Sequence, residues 1–304
     1  MRITIIGAGA MGSLFGGLLT EAGADVQLLD IWEAHVAAMN SQGLRIEREN
    51  KVRTVRVKAV SAVAEARPAE LAIVFVKSMH TKTAAVAAER IIGTRGYVLT
   101  LQNGMGNIDQ IKTRIAPPRI IAGTTSHGAT LMKPGKIRHA GEGPTTIGFW
   151  HEGDKAVIQR IAEQFTAAGI ETTVTGAVQA VVWDKLLVNV GINAVTALTG
   201  IKNGQLLDLP ATQVLVEAAV NEAILLASAM GVHVRKNAAA HVFDVAGRTA
   251  GNRSSMGQDV DHRRRTEIDA INGFVAGESE KRGLPATVNR TLTALIETMQ
   301  YHFE

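Results

Sequence analysis

Apolar and polar positions follow one rhythm in the first half of the chain and another in the second. Ile3–Ile6 is a short apolar run that predicts a strand. Met11–Ala22 carries apolar residues at helical spacing and stops at Gly23, a residue suited to the turn after a helix. Val26–Leu29 predicts the next strand and 33–42 the next helix. Leu44–Glu47 and Val52–Val57 alternate like an antiparallel pair around a polar turn. Leu71–Val76 is an uninterrupted apolar run, as expected of a strand covered on both faces. Tyr97–Leu101 and Ile120–Ile121 predict further strands, and Thr145–Phe149 follows a loop rich in Gly and Pro. Helix 155–168 and strand Glu171–Val174 close this half. Such alternation predicts an α/β, doubly wound sheet with helices on both faces.

After Gly176 the strand candidates disappear. Helical spacing dominates near 177–198, 210–230, 234–246, 257–282 and 286–302. Asp208 with Pro210 is a helix-start signal, and Gly231 is a stop signal. The expectation is an α/β domain over 1–176 and an all-α domain over 177–304, with Gly176 as a candidate hinge.

One helical stretch breaks its own apolar pattern. Within Val181–Val195, Lys185, Asn189 and Asn193 are spaced four apart and therefore share one face. Burying an ammonium and two carboxamides without partners costs several kcal/mol. Something polar must meet them, either protein groups or a ligand. An ion pair of Lys185 with Asp184 or Glu267, and satisfied helix–helix amides, would be the purely structural solution.

The other chemistry-bearing segment lies at the start. Gly7-Ala8-Gly9-Ala10-Met11-Gly12 follows a strand and opens a helix. In that context Gly7 permits a tight turn, Gly9 a close backbone approach to a pyrophosphate, and Gly12 close packing of helix on strand. The helix N-terminus then offers N–H groups to the phosphates. Asp30, 18 residues after Gly12, ends the second strand, where a carboxylate can bind the adenosine ribose hydroxyls and repel a 2′-phosphate. It therefore favours NAD over NADP, although an Asp there can also cap the next helix. Lys77 and Asn103 follow predicted strands, at the ends where ligands bind in open α/β sheets. A surface lysine and an Asn-Gly turn are the plain alternatives.

Composition adds limits. The 304 residues suffice for two domains with cores of their own. No cysteine is present, so a disulfide framework or a thiolate ligand or nucleophile is excluded, as fits a reducing cytoplasm. A strand beginning at residue 2 leaves no room for a signal peptide. No membrane span is expected; 177–198 comes closest, but Asp184 and Lys185 sit at its centre. The net charge of +4 is thinly spread, which implies no nucleic-acid partner and suits an anionic ligand. Arg263-Arg264-Arg265, among Asp259, Asp261, Glu267 and Asp269, reads as a solvated, salt-bridged helix face. The histidines show no metal spacing, and no metal is expected.

Taken together, these blocks resemble the ketopantoate reductase (2-dehydropantoate 2-reductase) family over essentially the whole chain. The matching residues are Gly7–Gly12, Lys77, Asn103-Gly-Met-Gly106, Gly123-Thr-Thr and His127. In the helical half they are Lys185-Leu-Leu-Val-Asn189 with Asn193, Asn203-Gly204, Ser254-Ser255-Met256, Thr266-Glu267-Ile268-Asp269 and Ile271-Asn272-Gly273. The resemblance implies a Rossmann-type domain followed by a 6-phosphogluconate-dehydrogenase-like helical domain. It implies reduction of a keto acid, 2-dehydropantoate, to (R)-pantoate with NAD(P)H, in pantothenate synthesis. By position, Lys185 resembles the catalytic lysine and Glu267 an acidic residue that organises substrate and cofactor. Asn103, Asn189, Asn193, Asn203 and Ser255 resemble substrate contacts, and Ala129 aligns with a backbone contact to the cofactor. The family usually prefers NADPH and carries a basic residue where this chain has Asp30, so the two arguments about the cofactor pull apart. His127 is a candidate acid or cofactor contact, or simply structural.

Two other readings stay open. A related 2-keto acid or 3-hydroxy acid dehydrogenase of the same superfamily shares the Lys-x-x-x-Asn spacing. A non-catalytic NAD(H) sensor would need only the first half. Long helices in the second half are candidates for a homodimer interface.

Overall fold

The computed structural model describes residues 1–303. Its compact units are Met1–Gln102 with Asn107–Val178, and Asn103–Gly106 with Gln179–Glu304. The first contains β1 (Arg2–Ile6), α1 (Ala10–Glu21), β2 (Asp25–Leu29), α2 (Glu33–Gln42), β3 (Leu44–Arg48), β4 (Lys51–Val55), β5 (Lys58–Val60) and β6 (Leu71–Val74). It continues with α3 (Thr81–Ile92), β7 (Tyr97–Thr100), α4 (Asn107–Lys112), β8 (Ile120–Thr125), β9 (Gly128–Lys133), β10 (Lys136–Gly141), β11 (Thr145–Phe149), α5 (Lys155–Ala167) and β12 (Thr172–Val174).

Eight strands form one sheet in the order β12-β11-β8-β7-β6-β1-β2-β5. Every neighbouring pair is parallel except β8–β11. The central strands are apolar on both faces, as a sheet covered on both sides requires. The predicted hairpin of β3 and β4 is present, but it belongs to a second sheet, β4-β3-β10-β9. Helix α1 lies between the two sheets. A Cβ on Gly16 would meet Leu28 of the large sheet at 2.4 Å, and one on Gly17 would meet Ile46 of the small sheet at 2.7 Å. Adjacent glycines thus let one helix touch a layer on each side.

The helical unit contains α6 (Val178–Thr199, from Gln179 on), α7 (Pro210–Ala229), α8 (Ala238–Arg248), α9 (Ser255–Asp261), α10 (Asn272–Glu280) and α11 (Thr287–Gln300). Helix α6 runs through its core, with Trp183, Leu186, Leu187 and Val190 buried. Gly191 lets α6 approach Val242 of α8 and Val216 and Val220 of α7, all within 3.1 Å of a notional Cβ.

Three expectations need correction. The single helix over 257–282 is α9, a 3₁₀ turn at Ile268–Ala270, and α10. Arg263 takes a left-handed φ of 51° and ends α9's path, while Thr266 Oγ1 binds Gln300 at 2.8 Å and lies 3.3 Å from the Ile268 N–H. The Arg263–Arg265 run is therefore not a helix face: Arg263 sits over the Phe303 ring, and Arg265 pairs with Asp269 at 3.6 Å. By length and composition, α6 and α7 are both apolar enough to cross a membrane, where the sequence reading admits neither. The apolar window of α6 is 61% buried within the protein, against 33% for α7, so α6 is accounted for as a core helix and α7 keeps an uncovered apolar side.

Candidate functional site

The glycine turn is built as its sequence demands. Gly7 has φ +92°, and a Cβ there would lie 2.7 Å from the Val76 nitrogen. A Cβ on Gly12 would sit 2.0 Å from the Gly7 carbonyl oxygen. Gly9, by contrast, faces open space, with nothing within 4 Å of a notional Cβ, and no side chain caps α1 there. Ala8, Ala10 and Met11 complete a turn whose exposed edge is backbone. A bound pyrophosphate fits this cradle: the N–H groups at the start of a twelve-residue helix are covered by no capping side chain.

Around the turn, Asp30 follows β2, and its Oδ1 accepts the Trp32 N–H at 2.9 Å. It therefore makes the local turn contact, which engages one of its two carboxylate oxygens. Lys77 is half-buried at the head of the 3₁₀ turn Ser78–His80. Ala129 lies in β9, opposite His139. His127 is buried, stacked on His139, with Nδ1 3.2 Å from His139 Nε2. Burial holds the pKa of both rings below the usual histidine value.

In the helical unit, α6 carries Lys185, Asn189 and Asn193 on one side. Burial of the Lys185 ammonium pulls its pKa down to about 8, against the opposing pull of the Glu267 carboxylate. At neutral pH it is still mainly an ammonium, yet it releases a proton far more readily than an ordinary lysine. Asn193 is 4% exposed, and its Nδ2 lies 3.4 Å from Ser255 Oγ. Asn203 is also buried; its Nδ2 donates to Thr249 Oγ1 at 3.0 Å. Two amide atoms among these residues, Asn189 Nδ2 and Asn203 Oδ1, are buried with no protein partner. A donor and an acceptor kept out of water without partners would be costly unless a ligand meets them.

Ser255 opens α9. Its neighbour Ser254 caps that helix, accepting the Gly257 N–H at 3.0 Å, and stands 2.7 Å from Thr196 Oγ1 of α6. Sequence reasoning passed over Thr196, within α6, and Thr249, just after α8, since a threonine in or beside a helix carries no distinguishing pattern.

Asn103 comes to the same unit from a distant part of the chain. Residues 103–106 pack on the segment that carries Glu267: Asn103 Nδ2 is 3.4 Å from Glu267 Oε2, and the Met105 N–H donates to the Ala270 carbonyl at 2.8 Å. Gly104 has φ +75°, and a Cβ there would lie 2.4 Å from the Ala270 oxygen. An ammonium of lowered pKa, a carboxylate and several amides are thus collected in one unit. Such a set can bind a hydroxylated carboxylate and deliver a proton to a developing alkoxide. A surface hollow of about 590 Å³ near the β3–β4 turn contains none of these residues. Its arginines already face carboxylates, Arg48 with Glu142 and Arg138 with Glu47, so it is a poor rival. No group of metal-ligating side chains occurs among the described residues.

A dinucleotide turn on a parallel sheet, joined to a helical unit with a perturbed lysine, defines the class: a nicotinamide-dependent oxidoreductase of Rossmann type. Comparison with known proteins narrows it. The family model described as ketopantoate reductase PanE/ApbA matches residues 3–152, and its C-terminal counterpart matches 177–300. A 2-dehydropantoate 2-reductase of Halobacterium salinarum is 38% identical, with 99% of each chain covered. Its namesake in Pyrococcus horikoshii is 35% identical over 99% of this chain and 98% of its own. Among solved structures, a D-mandelate dehydrogenase with NADH and anilino(oxo)acetate superposes with a TM-score of 0.94 at 27% identity, covering 100% of this chain and 99% of the other. A PanE/ApbA family ketopantoate reductase from Ralstonia eutropha gives 0.91 at 30% identity with the same coverage. This chain belongs to the ketopantoate reductase family.

Proposed function

We propose that the protein reduces the ketone of 2-dehydropantoate to the alcohol of (R)-pantoate, the reductive step of pantothenate synthesis. The observation that carries this reading is the collection of Lys185, Asn189, Asn193, Asn203, Ser255 and Glu267 in one unit, two of whose amide atoms lack protein partners. The names of the full-length relatives supply the substrate. A bound nicotinamide dinucleotide would supply the hydride. Lys185 polarises the ketone oxygen as charge builds on it and then gives that oxygen its proton. Asn189, Asn193, Asn203 and Ser255 hold the carboxylate and hydroxyl of the substrate, and Glu267 with Asn103 keeps the ammonium charged and in place. Gly7–Gly12 receives the pyrophosphate, with Lys77 and Ala129 as further cofactor contacts. The cofactor is NADH on this reading, because the second oxygen of Asp30 would bind ribose hydroxyls and repel a 2′-phosphate.

Purified protein should oxidise NADH on addition of 2-dehydropantoate, and other 2-keto acids at the same concentration should react far more slowly. Faster turnover of a different keto acid would overturn the substrate assignment.

One observation favours a second reading. The D-mandelate dehydrogenase structure, bound to NADH, matches the whole fold at a TM-score of 0.94. A D-2-hydroxy acid dehydrogenase using NADH therefore stands next, and the same panel of keto acids decides between them. We also propose a cytoplasmic enzyme that pairs through α7, whose Val214 (67% exposed) and Leu225 (48%) leave an apolar stripe uncovered. Val214→Glu with Leu225→Glu should convert a dimer to a monomer in light scattering; an unchanged mass would refute that interface.

A further inference from the structure

One buried titratable group lies outside the chemistry above. His35, on α2, is fully buried, and both of its ring nitrogens are engaged. Its Nδ1 accepts the Gly135 N–H from the β9–β10 turn at 2.9 Å. The ring proton must therefore reside on Nε2, which stands 2.9 Å from the Ala8 carbonyl oxygen and 3.1 Å from Ser13 Oγ. Ser13 donates to the same carbonyl at 2.6 Å. Trp32 stacks on the imidazole at a centroid distance of 5.5 Å. Side chains from two helices thus converge on one oxygen of the glycine turn, and a third segment, the β9–β10 turn, fixes the ring of one of them.

That oxygen has a geometric partner. In a trans peptide the carbonyl and the following N–H lie in one plane and point in opposite directions. Fixing the Ala8 carbonyl toward His35 and Ser13 aims the Gly9 N–H the opposite way, away from both side chains. We propose that His35, with Ser13, is a positioning residue for the nucleotide: by clamping the Ala8 carbonyl it orients the Gly9 amide toward the pyrophosphate. The proposal rests on the reading of Gly7–Gly12 as a dinucleotide turn. It adds a residue from another helix that sets the direction of that turn's donor before any ligand arrives.

Two substitutions separate positioning from packing, because each retains half of the imidazole's reach. A glutamine amide extends to the place of Nε2 and can still donate to Ala8. An asparagine amide reaches only the place of Nδ1 and can still meet Gly135. Dissociation constants for NADH and NADPH are measured by fluorescence titration of the full chain, alongside kcat at saturating nucleotide and the melting temperature. His35→Gln should bind within threefold of wild type, and His35→Asn at least tenfold more weakly, with kcat within twofold for both. Equal affinity in the two variants, or losses that follow only the melting temperature, would overturn the proposal. If both variants fail to fold, Ser13→Ala decides: it should weaken nucleotide binding several-fold, and unchanged binding sinks the idea. Failure of wild-type protein to bind either nucleotide would instead refute the dinucleotide reading, and the positioning role with it.

Discussion

The glycine turn and the α6 cluster treat their buried polar groups in opposite ways. At the glycine turn the buried side chains are settled within the protein: the Ala8 carbonyl has two donors, and His35 uses both nitrogens. Among the α6 residues and their neighbours, Asn189 Nδ2 and Asn203 Oδ1 are left without protein partners. The contrast separates two ways of preparing a site. One fixes backbone direction in advance and presents a finished cradle. The other holds polar side chains in a dry place and leaves part of their bonding to the molecule that arrives.

The largest test of this contrast is Lys185→Ala. It should lower kcat by about three orders of magnitude or more, since it removes both the cation and the proton source. Nucleotide affinity, governed by the finished cradle, should stay within a few-fold; near-normal turnover would remove Lys185 from the mechanism. Asn189→Ala comes next. With Asn189 as a proposed substrate contact, the substitution should raise KM for the keto acid roughly 10- to 100-fold, the equivalent of about 1–3 kcal/mol. The melting temperature should hold or rise, because the deleted amide has an unpartnered donor. A falling melting temperature with unchanged KM would mean that the amide is structural.

Cofactor choice should respond less. Asp30→Ser is expected to move the ratio of catalytic efficiencies toward NADPH by about tenfold, by removing the charge that opposes a 2′-phosphate. A wild-type preference for NADPH would show that Asp30 serves only its bond to Trp32. The pH profile comes next. With Lys185 as the proposed proton donor and its pKa lowered to about 8, reduction should decline as pH rises through about 8 and the reverse oxidation should gain. A flat profile to pH 10 would place the proton donor elsewhere. The smallest effect concerns stability in acid. Burial lowers the pKa of His35, His127 and His139 in the folded state, so the unfolded chain takes up protons first as pH falls below about 6.5. Stability is then full above that pH and is lost progressively below it. In His35→Gln this loss should shrink by the share of one histidine, as melting curves between pH 7 and 5 would register.

Legibility in the sequence followed the range of the interactions. Ile3–Ile6 with Gly7–Gly12 reads correctly because a strand, a turn and a helix follow one another within twenty residues. The α6 row reads because helical periodicity aligns Lys185, Asn189 and Asn193. Strands β9 and β10 went unseen: Gly128–Lys133 and Lys136–Gly141 hold few apolar residues, and only the Pro134-Gly135 turn marks a hairpin. The interruption between α9 and α10 was hidden as well, since Arg263–Arg265 has ordinary helical propensity and the break depends on Gln300 far along the chain. His35 carried no signal at all. A histidine in a short helix without a clear apolar face looks the same whether it faces solvent or a glycine turn.

The segment Asn103–Gly106 has a consequence for how such proteins can be inherited or rebuilt. The chain passes from one unit to the other at 102/103, returns at 106/107 and leaves again at 178/179. A cut near residue 176 would yield a helical half deprived of the four residues that rest on Ala270 and approach Glu267. The halves are therefore not interchangeable cassettes. A chimera that swaps the C-terminal half between relatives must carry the matching Asn-Gly-Met-Gly with it, and a lineage that alters one of these segments constrains what the other can become.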